Sequence, residues 1–175
     1  LHYKYGKSKL LNIVVSTSVF IPKPLTPFQW EAQIPIEEMY RKQDFLKDNL
    51  RIKNVKYSWH DAKASVIEAV LARGDESIAR AVVRAYELGC VFDSWSENFD
   101  YDKWIKAFEE TNVDYKKFLN GFKEDETLPW DIIDNGVKKS YLLKERHLAY
   151  EGKTTPNCIG KCNGCGANKF ARCFK

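Results

Sequence analysis

Four of the five cysteines in this 175-residue chain fall in one short stretch, "CIGKCNGCGANKFARC". Cys158, Cys162 and Cys165 have the spacing C-x3-C-x2-C, and Cys173 follows eight residues later. Thiolates bind soft and borderline metals, and close spacing lets one loop supply several of them. Gly160, Gly164 and Gly166 lie among them. Glycines allow the tight backbone that turns amide N–H groups toward sulfur. Three cysteines with an open coordination position suit a [4Fe–4S] cluster. Cys173 as a fourth ligand would suit a complete cluster or a zinc site. Zinc sites more often carry two separated C-x2-C pairs, so the spacing favours iron–sulfur. The remaining alternative is a tail whose thiols hold nothing.

Other residue types capable of chemistry have simpler readings. His60 and Asp61 are adjacent, and a His–Asp pair can move protons or bind metal. Asp61 is also placed to cap the next helix, which leaves His60 as a surface residue. His147 sits on a charged helix face in "KERH" and reads as solvated. Cys90 follows Gly89 in apolar surroundings and reads as a small core residue. "RGD" at 73–75 reads as the stop of one helix and the start of another. No phosphate-cradling glycine loop and no G-x-S-x-G is present.

These residues must be positioned by a mostly helical α+β chain. Asn12 to Ile21 is a strand whose near-continuous apolar content predicts burial on both faces of a parallel sheet. A lone strand of that kind needs neighbours, which marks the chain as part of something larger. "PKPLTPFQWEAQIP" holds four of the six prolines and forms a stiff extended loop. It either borders a site at the strand's C-terminal end or is a rigid linker whose Phe28 and Trp30 pack on the next helix. Helical periodicity runs from Ile36 to about Leu50, with Met39, Phe45, Leu46 and Leu50 on its apolar face. A short strand follows, with Ile52, Val55 and Tyr57 as its apolar positions. Asp61 caps a helix carrying Val66, Ile67, Val70 and Leu71, ended by Gly74. Asp75 caps another carrying Ile78, Val82, Ala85 and Tyr86, ended by Gly89, and the two make a helical hairpin. Asp100 caps a helix with Tyr101, Trp104, Ile105 and Phe108 on one face. A short helix spans Asp114 to Gly121, and a last one bears Val137, Tyr141 and Leu148 before Gly152.

Composition sets broad limits. Hydrophobic residues make up 44% and charged residues 30%, with a net charge of +4. That mild charge is no concentrated basic stripe of a nucleic-acid binder. No apolar run is long enough to span a membrane. Clustered cysteines with no visible export signal point to metal ligation in a reducing compartment, the cytoplasm.

Several long segments carry a resemblance. "VSTSVFIPKPLTPFQWEAQ", "WHDAKASVIEAVLARGD", "RAYELGCVFDSWSENFDYDKWIKAFEE", "LPWDIIDNGVKKSYLLKER" and "TTPNCIGKCNGCGA" together resemble a bacterial group of radical S-adenosylmethionine (SAM) proteins of the uncharacterised Fe–S oxidoreductase type. The likeness covers about residues 12–167. Members of this group are longer, with a radical SAM partial TIM barrel ahead of this region. The resemblance implies that residues 1–35 end that barrel with one or two late strands and the Pro-rich loop. Residues 36–152 would be a helical C-terminal domain, and 153–175 a cysteine-rich metal-binding tail. It implies an auxiliary cluster or structural metal on the tail cysteines. SAM would be used only with the N-terminal radical SAM core, and RNA is a candidate substrate because relatives modify tRNA.

The tail itself is not the SAM-cleaving motif by this likeness. That motif follows the first barrel strand and has an aromatic before its third cysteine, whereas Gly164 precedes Cys165 here. Leu25 departs from the group's "KPxTPFQW", where many members carry His, which puts carried-over specificity at that position in doubt. "NKFARCFK" matches nothing in the group.

Overall fold

A computed structural model describes residues 11–169. Among them are two strands, β1 (Ile13–Thr17) and β2 (Val55–Trp59), and five α-helices. The helices are α1 (Ile36–Asn49), α2 (Ala62–Arg73), α3 (Ile78–Glu87), α4 (Tyr101–Glu110) and α5 (Lys139–Tyr150). A 3-10 helix at Tyr115–Leu119 and a 3-10 turn at Ala167–Lys169 complete the set. The architecture is α+β and mostly helical. No helix among the described residues is long and apolar enough to cross a membrane.

β1 and β2 pair in parallel, Ile13 opposite Val55 through Thr17 opposite Trp59. Parallel pairing requires a crossover connection, and α1 lies within it. His60 N–H donates to the Thr17 carbonyl at 3.0 Å and carries the ladder one residue beyond β2. The expected burial of β1 on both faces does not occur. Its residues alternate between half-buried and exposed, and Val14 is 66% exposed. The apolar run at 13–15 arises because only Ile13 and Val15 share the covered side; Val14 projects to the other. Neither strand has a second ladder partner among the described residues.

Helix starts and stops follow local chemistry. Asp61 Oδ1 accepts from Ala64 N–H at 2.8 Å and caps α2. Asp100 accepts from the N–H groups of Asp102 and Lys103 and caps α4. Asp114 does the same for the 3-10 helix through Lys116 N–H. Gly74 follows α2 with its N–H on the Val70 carbonyl, and only glycine fits there, since a Cβ would lie 2.2 Å from Ile78 Cγ1 and 2.9 Å from the Val70 carbonyl.

The core has three parts. α2, α3, α4 and the 3-10 helix enclose Ile67, Val70, Ile78, Ala81, Trp104 and Phe108. Met39 meets Ala62 and Val66 where α1 crosses α2. Trp30, Leu128, Trp130 and Leu142 form the third cluster. Four expected core positions face water instead: Phe45 of α1 is 62% exposed, and Leu71, Val82 and Tyr86 also face outward, while Met39, Val66, Ile67, Val70, Ile78 and Ala85 are buried as expected and Ala81 is buried besides. The reason is close approach: α3 packs chiefly on α4 rather than folding back along α2, and small alanines permit it. The strand read from Ile52 begins at Val55, because Asn54 takes a left-handed φ of +64° and breaks the extended run.

Candidate functional site

Two regions carry chemistry, and the first is the cysteine loop. α5 closes at Gly152, which adopts φ +67°, and the chain then turns through three further glycines at φ +84°, +74° and +101° (Gly160, Gly164 and Gly166). These left-handed turns bring N–H donors to each described thiol of the loop. Gly164 N–H donates to Cys162 Sγ at 3.4 Å, Ala167 N–H to Cys165 Sγ at 3.5 Å, and Asn163 Nδ2 to Cys158 Sγ at 3.5 Å. Such donors stabilise thiolate, the form that ligates metal.

The loop is fixed to the start of α5. Lys138 N–H donates to the Cys165 carbonyl at 2.8 Å, and Lys169 pairs with Asp134 at 2.5 Å. Gly166 lies so close to the 136–138 turn that a Cβ would sit 2.7 Å from the Gly136 carbonyl. Thr155 Oγ1 donates to Glu145 Oε1 at 2.6 Å and ties the incoming strand of the loop to α5. Cys158 and Cys162 are exposed and Cys165 is half-buried. Among the described residues no group of three or more His, Cys, Asp or Glu side chains is drawn together as a metal would require. The donor set fits a thiophilic metal by its chemistry, and the three thiols would have to close around it. Cys173 lies outside the described residues. Cys90 is buried in the main core, where burial pushes its thiol pKa up.

The second region lies at the C-terminal ends of the two strands. Thr17 and Tyr57 join their hydroxyls at 2.8 Å, and Tyr57 stacks on Trp59. Beyond them, Lys23 Nζ donates to Glu68 Oε1 at 2.5 Å, linking the Pro-rich loop to α2. His60 Nδ1 stands 3.2 Å from Ser65 Oγ, itself buried and donating to the Asp61 carbonyl. A broad cleft of about 1440 Å³ opens here, bounded by residues from Trp59 to Ala72 and from Gly89 to Trp104, with Lys23 at its edge. His147 is not simply solvated: its Nε2 lies 2.9 Å from Glu124 Oε1, which Arg146 also contacts.

The Pro-rich loop is held from an unexpected direction. Trp30 packs on Leu128, Trp130 and Leu142, and Phe28 meets Phe20 and Tyr150 edge-on. Neither stacks on α1, the next helix in sequence, because α5 and the 128–130 connector fill that side. Gln29, nearly fully buried, accepts from Leu25 N–H at 2.9 Å and Trp130 Nε1 at 2.5 Å through its one carbonyl oxygen. The bond from Leu25 N–H accompanies a φ of +59° at that residue, a left-handed conformation costly for a branched side chain.

Arg73 is the residue that sequence reasoning missed. Its side chain is buried, and it binds backbone carbonyls instead of a carboxylate. Nε donates to Phe118 O at 2.8 Å, Nη1 to Pro22 O at 3.0 Å and Gln29 O at 3.3 Å, and Nη2 to Asn120 O at 2.8 Å. The guanidinium also lies 4.9 Å from the Phe122 ring centroid. Burial pushes its pKa down to about 10, which leaves it charged at neutral pH. The available signal was its spacing, since Arg73 falls on the same α2 face as Val66, Ala69 and Val70. The chain matches no family model, no curated protein and no solved structure.

Proposed function

We propose that this chain is the C-terminal part of a radical SAM iron–sulfur enzyme, with β1, α1 and β2 as the closing β/α repeat of a partial TIM barrel. The observation that carries the reading is the two-stranded parallel sheet. Parallel sheets are normally covered on both faces and extended by further strands. Here five-residue strands pair in parallel, each keeps an edge with no ladder partner among the described residues, and Val14, Ser16 and Lys56 face outward on one side. A sheet of that kind is accounted for if further parallel strands continue it. The Pro-rich loop leaves the C-terminal end of β1, where α/β proteins place their sites.

In this reading the barrel runs to the end of β2 rather than to residue 35, residues 60–152 form the helical extension, and the loop Pro22 to Gln33 borders the active site. The N–H donors aimed at Cys158, Cys162 and Cys165 support a role for these cysteines as ligands of an auxiliary cluster or structural metal, with Cys173 as a candidate fourth ligand. SAM would be bound and cleaved by the N-terminal core and not by this chain. RNA remains the candidate substrate class.

Iron, sulfide and zinc analysis after anaerobic reconstitution tests the proposal. Iron and sulfide in near-equal amounts, a brown chromophore, and loss of both in Cys162→Ala are expected. A colourless protein with no bound metal, unaffected by Cys162→Ala, overturns the metal assignment. One zinc per chain and no iron would instead point to a zinc-bearing helical module that binds a protein or RNA partner.

A further inference from the structure

The cleft at the strand ends combines size, charge and exposed apolar surface in a way that defines an occupant. Its volume of about 1440 Å³ is above the roughly 300–1,000 Å³ of small-molecule sites, and it is open to solvent along its length. That shape suits a length of polypeptide better than a metabolite.

Its charge runs against that of the molecule. Six carboxylates and three lysines line the cleft, in a chain whose net charge is +4. The lysines are already engaged: Lys23 pairs with Glu68, Lys103 lies 3.6 Å from Asp100, and Lys63 lies 5.1 Å from the Tyr101 ring centroid. Asp93 receives Trp104 Nε1 on Oδ2 at 3.0 Å, while its buried Oδ1 accepts no hydrogen bond among the described residues. Lys23 and Lys103 thus offset Glu68 and Asp100, and Asp61, Asp93, Glu97 and Asp102 leave the wall with a net negative charge against Lys63, which attracts cationic groups and repels phosphate backbones.

Apolar anchors complete the surface. Trp59, Leu71 and Val91 line the cleft and are each more than 40% exposed. Just past Val91, Phe92 and Trp95 stand 72% and 62% exposed on one turn, closed by Trp95 N–H donating to Phe92 O at 2.9 Å. Phe92 adopts φ +61°, which for a bulky side chain costs on the order of 1–3 kcal/mol. Phe92 and Trp95 do not line the cleft themselves but alternate in the chain with Val91, Asp93, Ser94 and Ser96, which do, so the two exposed aromatic side chains stand at its rim. Exposed aromatics of this kind mark protein-binding surfaces, where Trp dominates the binding energy.

We propose that this cleft docks a basic, extended protein segment. Cationic side chains of the segment lie along the exposed Glu97 and Asp102, and an apolar side chain packs against Trp95 and Phe92 at the rim. The docking is independent of any metal on the cysteine loop.

Fluorescence anisotropy with four labelled 12-mers tests it on the full 175-residue chain. The probes are a Lys/Leu/Trp peptide, the same peptide with Glu for Lys, a Lys/Gly/Ser peptide lacking apolar residues, and a single-stranded RNA. The first is expected to bind at least about tenfold tighter than each of the others and to weaken as salt rises. Phe92→Ser with Trp95→Ser, and separately Glu97→Lys with Asp102→Lys, are each expected to weaken it about tenfold or more. All four positions are at the surface, and unchanged circular dichroism and melting temperature confirm the fold. Equal or tighter RNA binding overturns the proposal, as does peptide affinity that neither double variant changes. A wild-type dimer that the aromatic double variant converts to monomer also overturns it, because the occupant is then a second copy.

Discussion

Arg73 and Pro22 are joined across fifty-one residues by one hydrogen bond, from Nη1 to the proline carbonyl at 3.0 Å. Proline has no N–H, but its carbonyl still needs a donor when buried. A guanidinium offers five donors in a rigid fork and so can serve several carbonyls from one position. Here it joins the Pro-rich loop, α2 and the segment after the 3-10 helix, and those three pieces have no sheet to hold them together.

Arg73→Met is therefore expected to lower stability by about 3 kcal/mol, since an unsatisfied buried polar group costs about 1–3 kcal/mol and relaxation recovers part of the total. Arg73→Lys should recover less than half, because one ammonium cannot reach all four carbonyls. Urea denaturation measures both. A loss under 1 kcal/mol for Arg73→Met would show that the carbonyls are satisfied another way.

Gln29→Leu removes the acceptor shared by Leu25 N–H and Trp130 Nε1, and should cost about 2 kcal/mol. Hydrogen exchange measures it: the 22–33 loop is expected to exchange its amide hydrogens faster. Unchanged exchange in the loop would contradict the anchoring role.

Gly166→Ala distinguishes docking of the cysteine loop from global stability. Gly166 has φ +101°, and its added Cβ would meet the Gly136 carbonyl at 2.7 Å. The melting temperature should move little, because the loop buries little of the core. Hydrogen exchange at Cys165 to Lys169 should rise severalfold, and any metal bound by the loop should dissociate faster.

Acid should loosen the clasp between α5 and the segment that carries Glu124. His147, and then Arg146, hold the Glu124 carboxyl below its ordinary 4.5. A depressed folded pKa means that the contribution is present above the ordinary value and is lost as pH falls through the lower folded one. Glu124→Gln should therefore flatten the stability curve between pH 5 and pH 3 without changing its slope from pH 7 to 8. Identical acid limbs in the two proteins would remove the clasp from the account.

Val14→Lys tests whether the open side of the sheet belongs to a larger one. In this chain Val14 faces water, so the change should cost less than about 0.5 kcal/mol. Val15→Lys, on the half-buried side, should cost more. If a longer protein continues the sheet over Val14, the same Val14→Lys change should destabilise that longer protein by several times as much.

Elements whose ends are set by neighbours in sequence were legible. The helix from Ile36 to about Leu50 appears where its periodicity places it, and the Asp61–Gly74 and Asp100-capped helices appear where their caps place them, within a residue or two. The sequence reading starts β2 three residues early, at Ile52, because Asn54 takes a left-handed φ without a strong local signal, and it makes β1 too long, because the ladder ends at Thr17 opposite Trp59. At the site, the sequence singled out the cysteines and the glycines between them, but not the turn at Gly136 to Lys138 that holds the loop. That partner is nearly thirty residues away and has no motif.

From the sequence alone come the residue types that can do chemistry, the spacing of the thiols and the caps that start and stop the helices. All are properties of a few adjacent residues, and elementary hydrogen bonding and chain geometry are enough to read them. Tertiary structure alone decided how wide each buried helix face is, why Phe45 and Tyr86 face water while Ala81 is covered, and where Arg73 sends its donors. It also set an acidic wall beside two exposed aromatic side chains. These outcomes depend on which distant surfaces come within contact distance. Packing and desolvation at those contacts outweigh local preference by amounts that no single stretch of sequence records.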